Sequence, residues 1–566
     1  MIKQVGGNST VESQNTSGNV RRGEFMLAFA FLIAAILLRV VYIFHFRVNS
    51  DEPQHLHVVW AWTQGLLPYR DVFDNHTPLF QLLCSPFFGL IGENARIVAW
   101  MRLLELPCYL LTLWLVYLIA KPIFGGRVGL WAIVFAGLYP YFFFCSLEFR
   151  PDGFWALCWL IAIAILLRGT HLTPLRCFFA GFMFGMDMDV SMKTILLVGA
   201  LGSGALAVLF IGHNKDLKSV LKWLTPRIVT ATLGFLILPL LTVGFYAYKG
   251  ALNPFYYGII GHNLLAETAS PVSFWIRLAL FSLGLLIVSV GAMLVYRRGP
   301  DVWTSNRRVL IFVTAAMFIL ILEGFWPLIQ REHYLPFYPL LFILLAPVIL
   351  SFGDRMIGIR APALMLPVFV SVLEFSWLLT AKPWQDNLQL EAKILSTVLR
   401  LTNPSDYILD AKGECIFRQR PCFFVYERIT KKATAEGRIP DDVVESLIKT
   451  DTCVTLVNAS RFSQRTEEFL DENYLKVGHL RVAGKFLHPQ PASAKISFDL
   501  KITARYEIVA AEGSVGGLLD GTPYDGPRLL GAGPHEFTPQ NGAKPLAVIW
   551  AQAPERGFSP FQAQAN

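Results

Sequence analysis

Between residues 25 and 381 the chain consists of apolar runs separated by short polar loops, a pattern that dictates a polytopic α-helical membrane protein. About eleven runs are candidate spans: 25–46, 95–120, 128–147, 153–168, 175–190, 192–212, 228–248, 273–296, 309–329, 334–352 and 361–381. A span takes roughly 20 residues, so the fourth and fifth are short. They read as broken or partly re-entrant helices, which fit only where protein or a cavity surrounds them. Residues 78–92 are apolar but also short, and read as a helix lying at the interface. Composition agrees: 54% of the 566 residues are hydrophobic and 16% charged, a balance rare in soluble chains. The first run is too long for the core of a cleavable signal and reads as an anchor.

The cations set the orientation. With the N-terminus inside, the inner loops hold Lys3, Arg21 and Arg22, Lys121 and Arg127, Arg168 and Arg176, Lys215, Lys218, Lys222 and Arg227, Arg297, Arg298, Arg307 and Arg308, and Arg355 and Arg360. The outer loops mostly carry single cations: Arg150, Lys193, Lys249 and Arg331. This is the positive-inside asymmetry, and an odd number of spans puts the C-terminal part on the outer face. The net charge of +8 thus belongs to orientation and does not suggest a nucleic-acid partner.

Four segments follow. Residues 1–24, rich in Gly, Asn, Ser and Thr, read as a disordered cytoplasmic tail. Residues 25–382 read as the membrane domain. Beyond Lys382 the composition is that of a soluble domain. Asp406-Tyr-Ile-Leu-Asp410 and Cys453-Val-Thr-Leu-Val457 read as buried strands and Pro440 to Thr450 as a short helix, giving an α/β unit over 383–485. Alternating strands with Gly-rich turns suggest a small β-rich unit over 486–566. Five cysteines lie in or near membrane runs and read as apolar packers. A Cys415–Cys422 disulfide stays open, with Cys453 left over.

Polar groups with no topological need gather in the outer loops. The first carries Asp51, Glu52, His55 and His57, then Tyr69-Arg-Asp71 and Asp74-Asn-His-Thr-Pro78. Later loops carry Glu148-Phe-Arg-Pro-Asp152, Lys193, His262-Asn263 and Gln330-Arg-Glu-His-Tyr334. An acid pair such as Asp51-Glu52 ordinarily caps a helix, and an isolated histidine is ordinarily interfacial. Acids at membrane depth are costly unless used or paired, so the accumulation on one face points to an outward-facing active site. Asp187 and Asp189 lie inside an apolar run, where function or pairing with Lys193 is expected.

Asn49-Ser-Asp-Glu52 at the end of the first run, Gly65-Leu-Leu-Pro-Tyr-Arg-Asp71 and Asn75-His-Thr-Pro-Leu79 resemble the first outer loop of a known group. These are the GT-C fold membrane glycosyltransferases of the protein mannosyltransferase and aminoarabinose (lipid A) transferase type. Arg150-Pro-Asp152 is similar to a second motif of that family, and Gly261-His-Asn263 and Arg331-Glu-His-Tyr-Leu-Pro336 match its later outer loops more loosely. The likeness covers roughly residues 25–350. The sequence departs at Pro53-Gln54 and His76-Thr77-Pro78, where the aminoarabinose branch tends to carry basic residues, and names neither donor sugar nor acceptor.

The resemblance implies an enzyme of the bacterial inner membrane, with a cytoplasmic N-terminus and a periplasmic C-terminal domain. It would move a sugar from a polyprenyl-phosphate donor to a lipid, glycan or protein acceptor. In that reading Asp51 is the general base, Glu52 orients it or the acceptor, and Asp152 is the second family acid. Mutual repulsion of the Asp51-Glu52 pair is expected to raise one pKa. Arg331 and Lys193 are the expected phosphate clamps, with Arg150 and Arg70 in reserve. His55, His76, His262, Asn263, His333 and Tyr334 complete the expected substrate surroundings. No cofactor is dictated: His262 and His333 suit either phosphate or a divalent metal, and the scattered spacing requires no metal. Two competing readings are a secondary transporter and a lipid-linked glycan ligase or polymerase. Transporters usually show internal repeats and mid-membrane polar sites, whereas here no repeat is visible and the acids cluster at one face.

Overall fold

The computed structural model describes residues 22–212, 216–265, 274–326, 328–355, 364–457, 461–488, 495–540 and 545–561. Its membrane part comprises α1 (Arg22–His45), α2 (Glu52–Thr63), α3 (Leu79–Ile91), α4 (Ile97–Arg102), α5 (Glu105–Phe124), α6 (Gly126–Leu138), α7 (Pro140–Cys145), α8 (Pro151–Leu167), α9 (Pro174–Val190), α10 (Thr194–Gly212), α11 (Leu217–Tyr248), α12 (Leu252–Tyr256), α13 (Phe274–Arg297), α14 (Val302–Phe325), α15 (Phe337–Arg355) and α16 (Met365–Leu379). Every expected run falls on a helix, but among the described residues seven stretches are long and apolar enough to cross a bilayer: α1, Ile97–Phe124, α10, α11, α13, α14 and α15. The helices α6, α8 and α16 are apolar but shorter, and α9 has 17 residues. Pro140 divides the third run: Tyr139 before it is extended, at φ −63° and ψ 117°, because a residue preceding proline is pushed out of the α region. The tail expected over 1–24 has its first 21 residues outside the described ones, and α1 is already helical from Arg22.

Where the bundle is tightest, backbone meets backbone. A Cβ on Gly181 of α9 would lie 2.0 Å from Ala231 O, and one on Gly185 would lie 2.2 Å from Phe235 O. From the other side, a Cβ on Gly234 of α11 would lie 2.1 Å from Phe178 O. Gly181-xxx-Gly185 is thus a small-residue seam, which lets helices gain close van der Waals contact without any hydrophobic drive from lipid. Gly181→Leu is expected to force α9 and α11 apart and cost about 1–3 kcal/mol or more. The check is thermal unfolding in detergent, with loss of a monodisperse species.

The C-terminal domain follows α17 (Gln389–Leu401). Its strands are β1 (Ile408–Leu409), β2 (Val454–Leu456), β3 (Tyr474–Val477), β4 (Leu480–Leu487), β5 (Ile496–Leu500), β6 (Ala504–Ala510), β7 (Gly517–Leu519), β8 (Thr522–Pro523), β9 (Arg528–Leu530), β10 (Gly533–Pro539) and β11 (Leu546–Trp550). One sheet runs β1-β2-β4-β11-β6-β9, with β3 also on β4, and a smaller one runs β5-β10-β7-β8. The division expected at 485 is therefore not a division of the fold. β4 pairs β2 at Leu480–Val482 and β11 at Gly484–Leu487, so one sheet and one apolar core cross that point. All eight cysteines are free thiols, Cys415 and Cys422 included.

This domain sits on the face where the acid- and histidine-rich loops gather. His57 Nδ1 lies 2.9 Å from Ile416 O, Arg418 pairs with Glu93, and the rings of Phe88 and Phe417 lie 5.4 Å apart.

Candidate active site

The Asp51-Glu52 pair occupies the start of α2, with Asp51 at the N-cap and Pro53 in the first turn. Successive residues there point roughly 100° apart, so the two acids face different surroundings. Glu52 turns inward and is fully buried against Arg102. Its carboxylate accepts from Arg102 Nε at 2.7 Å and Nη2 at 2.6 Å, from Asn49 N at 2.8 Å and from Phe149 N at 2.7 Å. This ties the loops before α2 and α8 to α4. Asp51 turns the other way, onto a cavity of about 870 Å³.

Around Asp51 the charges alternate. Its Oδ2 is 2.7 Å from Arg150 Nη1, and its Oδ1 receives the ammonium of Lys412. Arg150, the N-cap of α8, also reaches Glu332 Oε1 at 2.6 Å and Asp152 Oδ2 at 3.3 Å. Asp152 Oδ1 in turn accepts from Lys193 Nζ at 2.6 Å. Three cations (Lys412, Arg150, Lys193) thus meet three carboxylates (Asp51, Asp152, Glu332). Such pairing is what makes buried charge tolerable. Burial would raise the Asp51 carboxyl, but the Arg150 guanidinium and the Lys412 ammonium outweigh it and hold it well below the usual carboxylate range. The repulsion expected between the two neighbouring acids therefore does not govern Asp51. Burial, helped by the Lys193 charge, pushes the His333 imidazole down to about 2, so that ring is neutral.

Behind this row, burial and the nearby Glu52 charge push the Glu148 carboxyl up to about 7. Asn49 Nδ2 donates to it at 2.8 Å. A carboxyl raised by folding binds its proton more tightly in the native state, so it favours folding at low pH and this is lost as pH rises from about 4.5 through about 7. Glu148→Gln is expected to gain stability relative to the wild type between about pH 5 and pH 8, by roughly 2–3 kcal/mol. Thermal melts across that range check it.

The cavity has two characters. Asp51, His76, Arg150, Asp152, Lys193, His333 and Lys412 supply charge and hydrogen bonding; Val190, Met192, Ile259, Ile260, Phe325 and Trp326 supply apolar lining. Among the residues expected from sequence, Asp51, Asp152, Arg150, Lys193, His76, Asn263 and His333 line it together. The others stand elsewhere. Arg331 is exposed, its guanidinium 5.6 Å from the Tyr141 ring centroid. Arg70 is exposed and pairs with Asp71 at 2.8 Å. His55 is fully buried, 4.6 Å ring to ring from His76. His262 is buried with Nε2 2.8 Å from Glu427, and the Tyr334 hydroxyl donates to Glu323. Lys193 pairs with Asp152 rather than Asp187 or Asp189; Asp189 accepts from Thr242 at 2.7 Å. Among the described residues no three His, Cys, Asp or Glu side chains converge to hold a metal.

Three contributors were not singled out from sequence. Arg102, a cation inside an apolar run, carried a readable signal, since such charges need partners. Glu332 lies within the quoted Arg331-to-Pro336 motif but without an assigned role. Lys412 comes from another domain and has no local signature.

Residues 75–241 match the family model of dolichyl-phosphate-mannose-protein mannosyltransferases. No curated protein matches the chain in sequence. Among solved structures, ArnT from Cupriavidus metallidurans in the apo state is similar at TM-score 0.56 and 14% identity, over 81% of this chain and 98% of ArnT. The same enzyme bound to undecaprenyl phosphate is similar at TM-score 0.53 and 14% identity, over 82% and 98%. The fold is thus of the GT-C type, in a multi-pass membrane protein, and residues 75–241 are similar to the mannosyltransferase family model.

Proposed function

We propose that the protein transfers a sugar from a polyprenyl-phosphate donor to a nucleophile on a lipid, glycan or protein acceptor. One observation carries this: Asp51, between Arg150 and Lys412, lines a cavity whose lining is part charged and part apolar. The charged residues suit a sugar phosphate and the apolar ones a prenyl chain, whose burial is worth ~0.8 kcal/mol per CH₂. The similarity to a structure of ArnT bound to undecaprenyl phosphate supports the same donor class.

Asp51 acts as the base, taking the acceptor's proton as its lone pair attacks the anomeric carbon. Lys193 and Arg150 stabilise the phosphate that departs with the electron pair, in surroundings where charge counts for more than in water. Asp152 holds both cations in place. Glu52 acts at one remove, through Arg102 and the backbone that positions its neighbour. Cation placement supports a cytoplasmic N-terminus and a periplasmic C-terminal domain in a bacterial inner membrane. A transporter is less well supported, because the charge row sits at one end of the helices, under the docked domain. Cells lacking the protein are expected to accumulate the unused polyprenyl-phosphate sugar; an unchanged pool of lipid-linked sugars would count against the reading.

A further inference from the structure

Among the residues that the C-terminal domain brings to the cavity, Lys412 pairs directly with Asp51, and its surroundings are built for that delivery. Lys412 lies in the turn after β1. Asp410, just beyond that strand, ties the turn at its base: it accepts from Gly413 N at 2.8 Å, Cys415 N at 2.7 Å and Arg420 Nε at 2.8 Å. Gly413 has φ +81°, and a Cβ there would lie 3.0 Å from His57 Cβ and 3.3 Å from Pro53 O. Glycine both adopts that conformation and lets the turn settle against α2. Lys412 itself is 7% exposed, and lysine is almost never buried without a partner. Its partner is Asp51.

The two cations on Asp51 differ in freedom. Arg150 is held by three carboxylates, those of Asp51, Asp152 and Glu332. The Lys412 ammonium has Asp51 as its one carboxylate partner among the described residues. Lysine is also a point charge on a flexible stem, able to exchange one anion for another without a fixed fork geometry. With both oxygens engaged by cations, Asp51 cannot accept a proton. A donor phosphate in this cavity is a second anion within reach, because Lys412, Lys193 and Asp51 line the same space.

We propose that Lys412 is a donor-phosphate ligand supplied by the C-terminal domain, and that its ammonium passes from Asp51 to the phosphate when the donor binds, so that loading the donor frees the base. This rests on the reading of Asp51 as base and of the donor as a polyprenyl-phosphate sugar. In the loaded enzyme the acceptor's lone pair forms the new bond at the anomeric carbon. The carbon–oxygen bond to phosphate breaks with its electron pair on the departing polyprenyl phosphate. The acceptor's proton goes to the Asp51 oxygen that Lys412 has left. Donor binding and docking of the C-terminal domain are then coupled, because one side chain serves both.

The test uses the full-length protein in nanodiscs and undecaprenyl phosphate as probe. Lys412→Met is expected to weaken its binding about tenfold, the loss of one charge-assisted contact, and Lys412→Arg to restore part of it. Asp51→Asn is expected to tighten binding, because the phosphate no longer competes for the ammonium. The probe is expected to slow amide exchange over residues 410–418 in the wild type and not in Lys412→Met. Unchanged affinity in a folded Lys412→Met protein overturns the proposal, as does unchanged or weaker binding by Asp51→Asn. If Lys412→Met does not fold, Lys412→Gln and the exchange measurement on the wild type decide: no slowing at 410–418 overturns it. These readouts do not depend on turnover, so they are separate from failure of Asp51 as base, which shows as transfer persisting in Asp51→Asn.

Discussion

Asp51→Asn is expected to lower sugar transfer by about 10²–10⁴-fold, the usual contribution of a positioned general base, while the protein still folds and inserts. Asparagine keeps the shape of aspartate, but it offers one acceptor oxygen in place of two, carries no charge and cannot take a proton. The structural consequence is local: Lys412 loses its one carboxylate partner among the described residues, while the rest of the row stays paired. Arg150 retains Asp152 and Glu332, and Glu52, facing the other way, retains all four of its hydrogen bonds. The variant therefore separates chemistry from architecture. Single-turnover transfer together with a melting curve checks it; turnover within tenfold of the wild type would remove Asp51 from the role.

Arg150→Met has the larger structural effect. It leaves the carboxylates of Asp51, Asp152 and Glu332 without their shared guanidinium in a buried row. Breaking a buried ion pair by removing one partner costs roughly 3–5 kcal/mol, because the charge left behind is uncompensated. Transfer is expected to be lost with it. The pH dependence has a definite sign. Without the guanidinium these acids bind protons more tightly in the folded state, so the deficit is greatest at high pH and shrinks as pH falls towards about 5. Melting temperatures of wild type and variant across that range check this; a pH-independent deficit would mean that lost packing, not charge, sets the cost.

The membrane bundle and the gathering of charge at one face were legible because both rest on local pattern: apolar runs, and acids where lipid should exclude them. Asp51, Arg150, Asp152 and Lys193 could be picked out for that reason. The roles of neighbours were harder to read. Asp51 and Glu52 are adjacent in sequence, yet the helical turn sends one to the cavity and the other to Arg102, fifty residues away. Arg331 and Arg70 carry the right charge but stand exposed, since a loop cation's sequence position does not fix which way it points. Lys412 was beyond reach, because the docking that brings it to Asp51 depends on long-range packing of the turn after β1 against α2. The division expected at residue 485 failed for a related reason: β4 looks like the end of one pattern but pairs with β11, about sixty residues on.

The most direct test is to incubate purified wild-type protein in proteoliposomes with a panel of radiolabelled polyprenyl-phosphate sugars and membrane-extract acceptors. The expected result is consumption of one donor, with label moved to an acceptor and polyprenyl phosphate released in equal amount, and no such transfer by Asp51→Asn. Uptake of a solute with every lipid-linked sugar left intact would contradict it.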